Sequence, residues 1–201
     1  MASRGTLTIR VPGFPEPLSF GDWVHDSLYG QVEVGTTDSA TIRGLQATVS
    51  ENIPGGSDVL TERQTNLPGP GNSGLPAGWA ALIYSIQVVI APGVDITIGD
   101  MRQLHLQSFL RFKISTKTYS EGPLYRFPAA GGIEGFSTNN ATQWLNNSGS
   151  SPSTRRGFVI PHYLKPQVSF AAEVAFGSAV AMSASRVLEI ALEGLIKRPV
   201  L

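Results

Sequence analysis

The stretch Val168-Ser-Phe-Ala-Ala-Glu-Val-Ala-Phe176, followed after a small-residue connection by Val187-Leu-Glu-Ile-Ala-Leu-Glu-Gly-Leu-Ile-Lys197, decides the fold. In the first segment Phe170, Ala172, Val174 and Phe176 recur at every second residue, with Glu173 between them. In the second, Leu188, Ile190 and Leu192 alternate with Glu189 and Glu193. A period of two sends one set of side chains into a core and the other toward water, the pattern of a half-buried β-strand. A helix over 179–192 competes for the second segment, but Gly177, Gly194 and the β-branched Val187 and Ile190 favour a strand. Glu173, Glu189 and Glu193 are therefore expected on outward faces.

The same period recurs upstream. Thr6–Val11 alternates, with Leu7, Ile9 and Val11 on one face. Trp23–Val34 reads as a pair of strands turning near Gly30, and Ala40–Val49 as another strand carrying Ile42, Leu45 and Val49. Ala80–Ala91 is the strongest strand: Leu82, Tyr84, Ile86, Val88 and Ile90 share one face, and Ile83 and Val89 on the other imply burial on both sides. Phe109–Ser115 alternates again, with Leu110, Phe112 and Ile114 inward. One helix is expected, Gly99–Gln107, capped by Asp100 and burying Met101 and Leu104. Two long polar loops, 51–78 and 137–157, interrupt the strands; Val59 and Leu60 are the chief apolar anchors of the first. Taken together, the chain is expected to be all-β: one domain over 1–201, a jelly-roll-like antiparallel β-sandwich of about eight strands with one short helix. Residues 1–5 read as a flexible N-terminal arm.

Composition narrows the function. Lys+Arg and Asp+Glu both number 15, so the formal net charge is zero, which disfavours a dedicated nucleic-acid binder and permits close self-association. Charged residues make up 15% of the chain, against about 25% in typical domains, a surface suited to cover by neighbouring subunits. There is no cysteine, which excludes disulfides and thiolate chemistry. The first residues lack the apolar core of a signal peptide, and no run reaches the roughly 20 apolar residues of a membrane span.

Motifs for chemistry are thin. His25, His105 and His162 stand far apart, outside any metal-ligand spacing, and no metal or other cofactor is expected. No GxSxG elbow or P-loop occurs. A GxGxxG match at Gly69–Gly74 follows no strand, opens no helix and contains Pro70, so it reads as a turn. The tryptophans Trp23, Trp79 and Trp144 are candidates for a sugar platform. Trp144, with Leu145 beside it, lies in the second polar loop, which ends in Arg155-Arg156. An aromatic anchor and two cations in a segment too polar to bury itself suit a contact that orders on a partner; Trp144, Leu145, Arg155 and Arg156 are the candidate contact residues.

Gly122-Pro123-Leu124, Phe127-Pro128, Gly131-Gly132-Ile133 with Gly135-Phe136, the Phe158–Pro161 segment and the closing Leu192–Val200 run together resemble bacteriophage virion structural proteins, in particular the single jelly-roll capsid proteins of tailless, membrane-containing phages. The resemblance covers roughly residues 80–201. It implies a sandwich that tiles a shell through its edges and loops, formed in the host cytoplasm and placed in the virion. Its partners would be copies of itself, other virion proteins and an internal membrane, without sequence-specific nucleic-acid binding and without a catalytic residue. A carbohydrate- or host-surface-binding fibre or spike domain is the alternative, and a cupin-like enzyme a third.

Overall fold

The computed structural model describes residues 8–10, 18–19, 23–90, 97–127 and 157–199. A short pair, β1 (Thr8–Ile9) and β2 (Leu18–Ser19), stands apart from two four-stranded antiparallel sheets. The first sheet has the order β3 (Trp23–Val34), β10 (Arg186–Lys197), β5 (Ala80–Ile90), β8 (Gly157–Leu164). The second has the order β4 (Ile42–Gly44), β9 (Phe170–Phe176), β6 (Ser108–Ile114), β7 (Lys117–Pro123). The pairings nest. The hairpin β6·β7 is innermost, β5·β8 and β4·β9 enclose it, and β3·β10 is outermost. A long antiparallel ribbon of this kind, wrapped so that β10 meets β5 and β9 meets β6, is a jelly roll. The fold is all-β, with α1 (Ile98–Gln107) and a 3-10 turn at Leu124–Arg126 beside it.

The core lies between the sheets. Leu28, Val32 and Val34 of β3 and Leu188, Ile190, Leu192 and Ile196 of β10 meet Leu110 and Phe112 of β6 and Phe170, Ala172 and Val174 of β9. The inward residues expected from alternation in β6, β9 and β10 are thus the ones buried, with Phe176 packed at the margin.

Several expectations are corrected. Trp23–Val34 is one strand of 12 residues, not two: Gly30 lies within it, paired with Ile190. Ala40–Val49 contributes only Ile42–Gly44, because Leu45 turns the chain at φ 61. In β5 the alternation changes phase. The register shifts at Tyr84 against both neighbours, so Ala81 and Ile83 face the core before it and Ile86 after it. Leu82 consequently lies on the opposite face, in a small cluster with Trp23, Tyr163 and Leu195, and Tyr84 is exposed. Gly194 of β10 lies opposite this bulge, and a Cβ there would stand 2.0 Å from the Leu82 carbonyl oxygen. Asp100 does not cap α1; Thr97 does, its Oγ1 accepting from the Asp100 N–H.

The long loop 51–78 is packed, and its anchors differ from those expected. Val59 is exposed, whereas Ile53, Leu60, Leu67 and Leu75 are buried. The segment runs along the outer edge of β3. Glu33 N–H donates to the Pro54 carbonyl, Tyr29 N–H to Asn66 Oδ1, and Asn66 donates to the carbonyls of Tyr29 and Ser27. The free edge of an outer strand is thereby covered, which blocks uncontrolled strand addition there. The GxGxxG glycines form the turn at the end of this segment. Gly71 joins β4 to β9 by donating to the Leu45 carbonyl and accepting from Phe170 N–H, and a Cβ there would lie 2.2 Å from that carbonyl oxygen.

Candidate functional site: a charged sheet face

Among the described residues, the outward face of the second sheet carries the largest group of interacting charges. Register places Arg43 of β4 opposite Glu173 of β9, Glu173 opposite Arg111 of β6, and Arg111 opposite Glu121 of β7. One row across four strands therefore alternates plus, minus, plus, minus. Arg43 Nε lies 3.4 Å from Glu173 Oε1, and Arg111 Nε lies 2.8 Å from Glu121 Oε1. Lys113, further along β6 on the same face, approaches Glu173 Oε2 at 2.6 Å.

Alternation puts Glu173 on the outward face as an exposed charge. It is outward, but its side chain retains only 6% exposure, because the basic stems on both neighbouring strands fold over it. Periodicity gives the face of a strand residue; it carries no information about what the adjacent strands lay across it. Arg43, Arg111 and Glu121 stay accessible, with side-chain exposures of 70%, 40% and 48%. These three belong to no sequence motif. For Arg43 and Arg111, the signal that could have found them is a charge standing between buried apolar residues of one strand; Glu121, in the polar strand β7, carries no such signal.

At the Gly71 end of this face a trough of about 460 Å³ opens over Glu173 and Lys113. Gln46, Asn72, Ser115 and Ser169 line it, and a second depression shares Arg43, Gln46 and Asn72. Gln46 Nε2 donates to the Phe170 carbonyl at 2.9 Å, which fixes that wall to β9. The trough offers cations, amides and hydroxyls, groups that bind acceptors and polyols by hydrogen bonding.

A second polar group lies at the opposite end of the sandwich. Arg186 Nη2 bonds Asp100 Oδ2 at 2.5 Å, both residues are buried, and Ser183 donates to the same carboxylate through its N–H and its hydroxyl. Burial alone would raise the Asp100 carboxyl. The Ser183 hydrogen bonds and the Arg186 guanidinium outweigh it and hold the group below its usual range. This cluster ties α1 to the start of β10.

The histidines occupy three different elements. His25 is exposed on β3, beside Asp26, which accepts from Ser27 N–H and pairs with Arg198. His105 lies in the last turn of α1, and burial lowers its pKa. His162 of β8 packs against Phe158 at 4.2 Å and Tyr119 at 4.8 Å, and burial, with a smaller contribution from Lys117, lowers its pKa. Among the described residues no three His, Asp or Glu side chains converge as a metal site. Trp23 belongs to the Leu82 cluster and Trp79 carries Arg198 over its ring at 5.6 Å. Trp144, Leu145, Arg155 and Arg156 lie outside the described residues, as do residues 1–5 and the loop over 137–156.

Among the described residues no helix is long and apolar enough to cross a membrane. No family model, curated protein or solved structure matches the chain.

Proposed function

We propose that this chain is a non-catalytic structural subunit that assembles with copies of itself into, or decorates, a viral shell, in keeping with the resemblance of residues 80–201 to phage virion proteins. The observation that carries the reading is the nesting of four hairpin pairs into two sheets of order β3-β10-β5-β8 and β4-β9-β6-β7. That wrapped ribbon is the architecture of viral capsid domains, and also of lectins and cupins. Fold alone does not assign function. Zero net charge and the sparse charge of the chain weigh toward the capsid arm, since they remove long-range repulsion between copies. The same reading makes the virion its location and the host cytoplasm the place of assembly. Sedimentation at micromolar concentration over a range of salt and pH, with electron microscopy of the fast fraction, is expected to show defined oligomers or particles. A monomer under every condition would overturn it.

The polar trough over Glu173 favours a second reading, a module that binds carbohydrate or a host surface, because its amides and hydroxyls match a polyol. Saturable glycan binding by a chain that stays monomeric would place that reading first.

A further inference from the structure

We propose that the outward face of the β4-β9-β6-β7 sheet is a docking surface for a second copy of this chain, related by a two-fold axis that lies in the face, parallel to the strands, between β9 and β6. The identity of the occupant rests on the self-assembling reading above; the choice of surface and symmetry rests on the charge row alone.

The row Arg43, Glu173, Arg111, Glu121 alternates in charge and has an even number of members. Turning a second copy over about the stated axis brings its β7 onto β4 and its β6 onto β9. Arg43 then faces Glu121 of the other copy and Glu173 faces Arg111, and the same contacts repeat by symmetry. Every charge in the row meets its opposite. A two-fold axis along the row would set each charge against itself, and the row therefore selects one arrangement. Closed dimers use one self-complementary patch of this kind. The neighbouring row, Ala175, Phe109 and Pro123, is uncharged, and the same operation lays Phe109 against Ala175. The charges thus set register beside a row that can be dried.

Within one chain the row is already paired, and exposed pairs of that sort contribute little in water. Arg43, Arg111 and Glu121 keep 70%, 40% and 48% of their side-chain exposure, so they can take a partner from above without leaving the sheet. Excluding water between two such faces strengthens each attraction and penalises each like-charge meeting.

Two single variants and their mixture test this. Arg43→Glu and Glu121→Arg each set two like-charge pairs across the proposed axis. Each is expected to weaken association of the full chain about tenfold or more at low ionic strength, with the difference shrinking in high salt. Mixing the two variants in equal amounts restores complementarity across the axis. In one half of the contact the new carboxylate at position 43 of one chain faces the new guanidinium at position 121 of the other. In the other half, the unchanged Glu121 of the first chain faces the unchanged Arg43 of the second. A heterodimer of near wild-type affinity is expected. Mixing leaves the pairs within each chain as broken as before, so rescue cannot come from intrachain effects. Circular dichroism and melting temperature of the separate variants confirm that each is folded. If the wild-type chain associates while the singles match it, or the mixture fails to recover, this surface is wrong and the assembly reading stands. If the wild-type chain does not associate at low salt, both fall.

Discussion

Asp100 shows how a residue's role can change between sequence and structure. At the start of a helix, an acid reads as a cap or as a partner for the helix dipole. Thr97 takes the cap, and Asp100 turns inward to the guanidinium of Arg186. Arg186 Nε and Nη1 have no hydrogen-bond partner among the described residues, so its bonds to Asp100 and Ser183 all run through Nη2. Removing one member of a buried pair strands the other charge. Asp100→Ala is expected to cost about 3–5 kcal/mol in urea denaturation, and adding Arg186→Met in the same chain to recover much of it. A loss below about 1 kcal/mol for the single variant would show that Arg186 finds water or another acceptor when Asp100 is gone.

At the scale of elements, the segment between β4 and β5 acts as an edge cover. Asn66 reproduces with its side chain and backbone the ladder bonds that a further strand would make to β3, through Tyr29 N–H at 2.8 Å and the Ser27 carbonyl at 2.6 Å. Asn66→Ala removes both side-chain bonds and leaves a donor and an acceptor on β3 to be rehydrated. The expected cost is about 1–3 kcal/mol. Hydrogen exchange is expected to quicken at the Tyr29 amide while the Leu192 amide in central β10 keeps its protection. Equal acceleration at both would mean that the segment opens only with the whole domain. β5 makes a companion point. Its apolar run is legible in the sequence, but the bulge at Tyr84 is not, because strict alternation assumes an unbroken ladder and the shift shows only in how β5 pairs with the strands on its two edges.

For the whole molecule, pH reports on folding through groups at both ends of the sandwich. His105 and His162 have pKa values lowered by burial, so the unfolded chain binds protons more readily than the folded one as pH falls below about 6.5. Their contribution is complete above that pH and is lost as pH falls through their folded values. Asp100, also lowered, acts in the same direction, with loss beginning below about 3.8. The melting temperature is therefore expected to drop in two stages on acidification. His105→Gln should flatten the upper stage, and a profile that instead rises from pH 7 down to pH 5 would contradict the burial of both rings.

Period-two alternation by itself determined that the chain is a β-sandwich, which strands are its most apolar, and which side chains of β6, β9 and β10 face inward, because burial of one face of a pleated strand is a local property of the sequence. Only the tertiary structure decided the nesting of the hairpins, the bulge that reverses β5, the packing of the 51–78 segment on β3, and the charge row. Arg43, Arg111, Glu121 and Glu173 are spread along the sequence, and each alone is an ordinary surface charge. They become one alternating row because strand register, a long-range property fixed by core packing, aligns them across four strands.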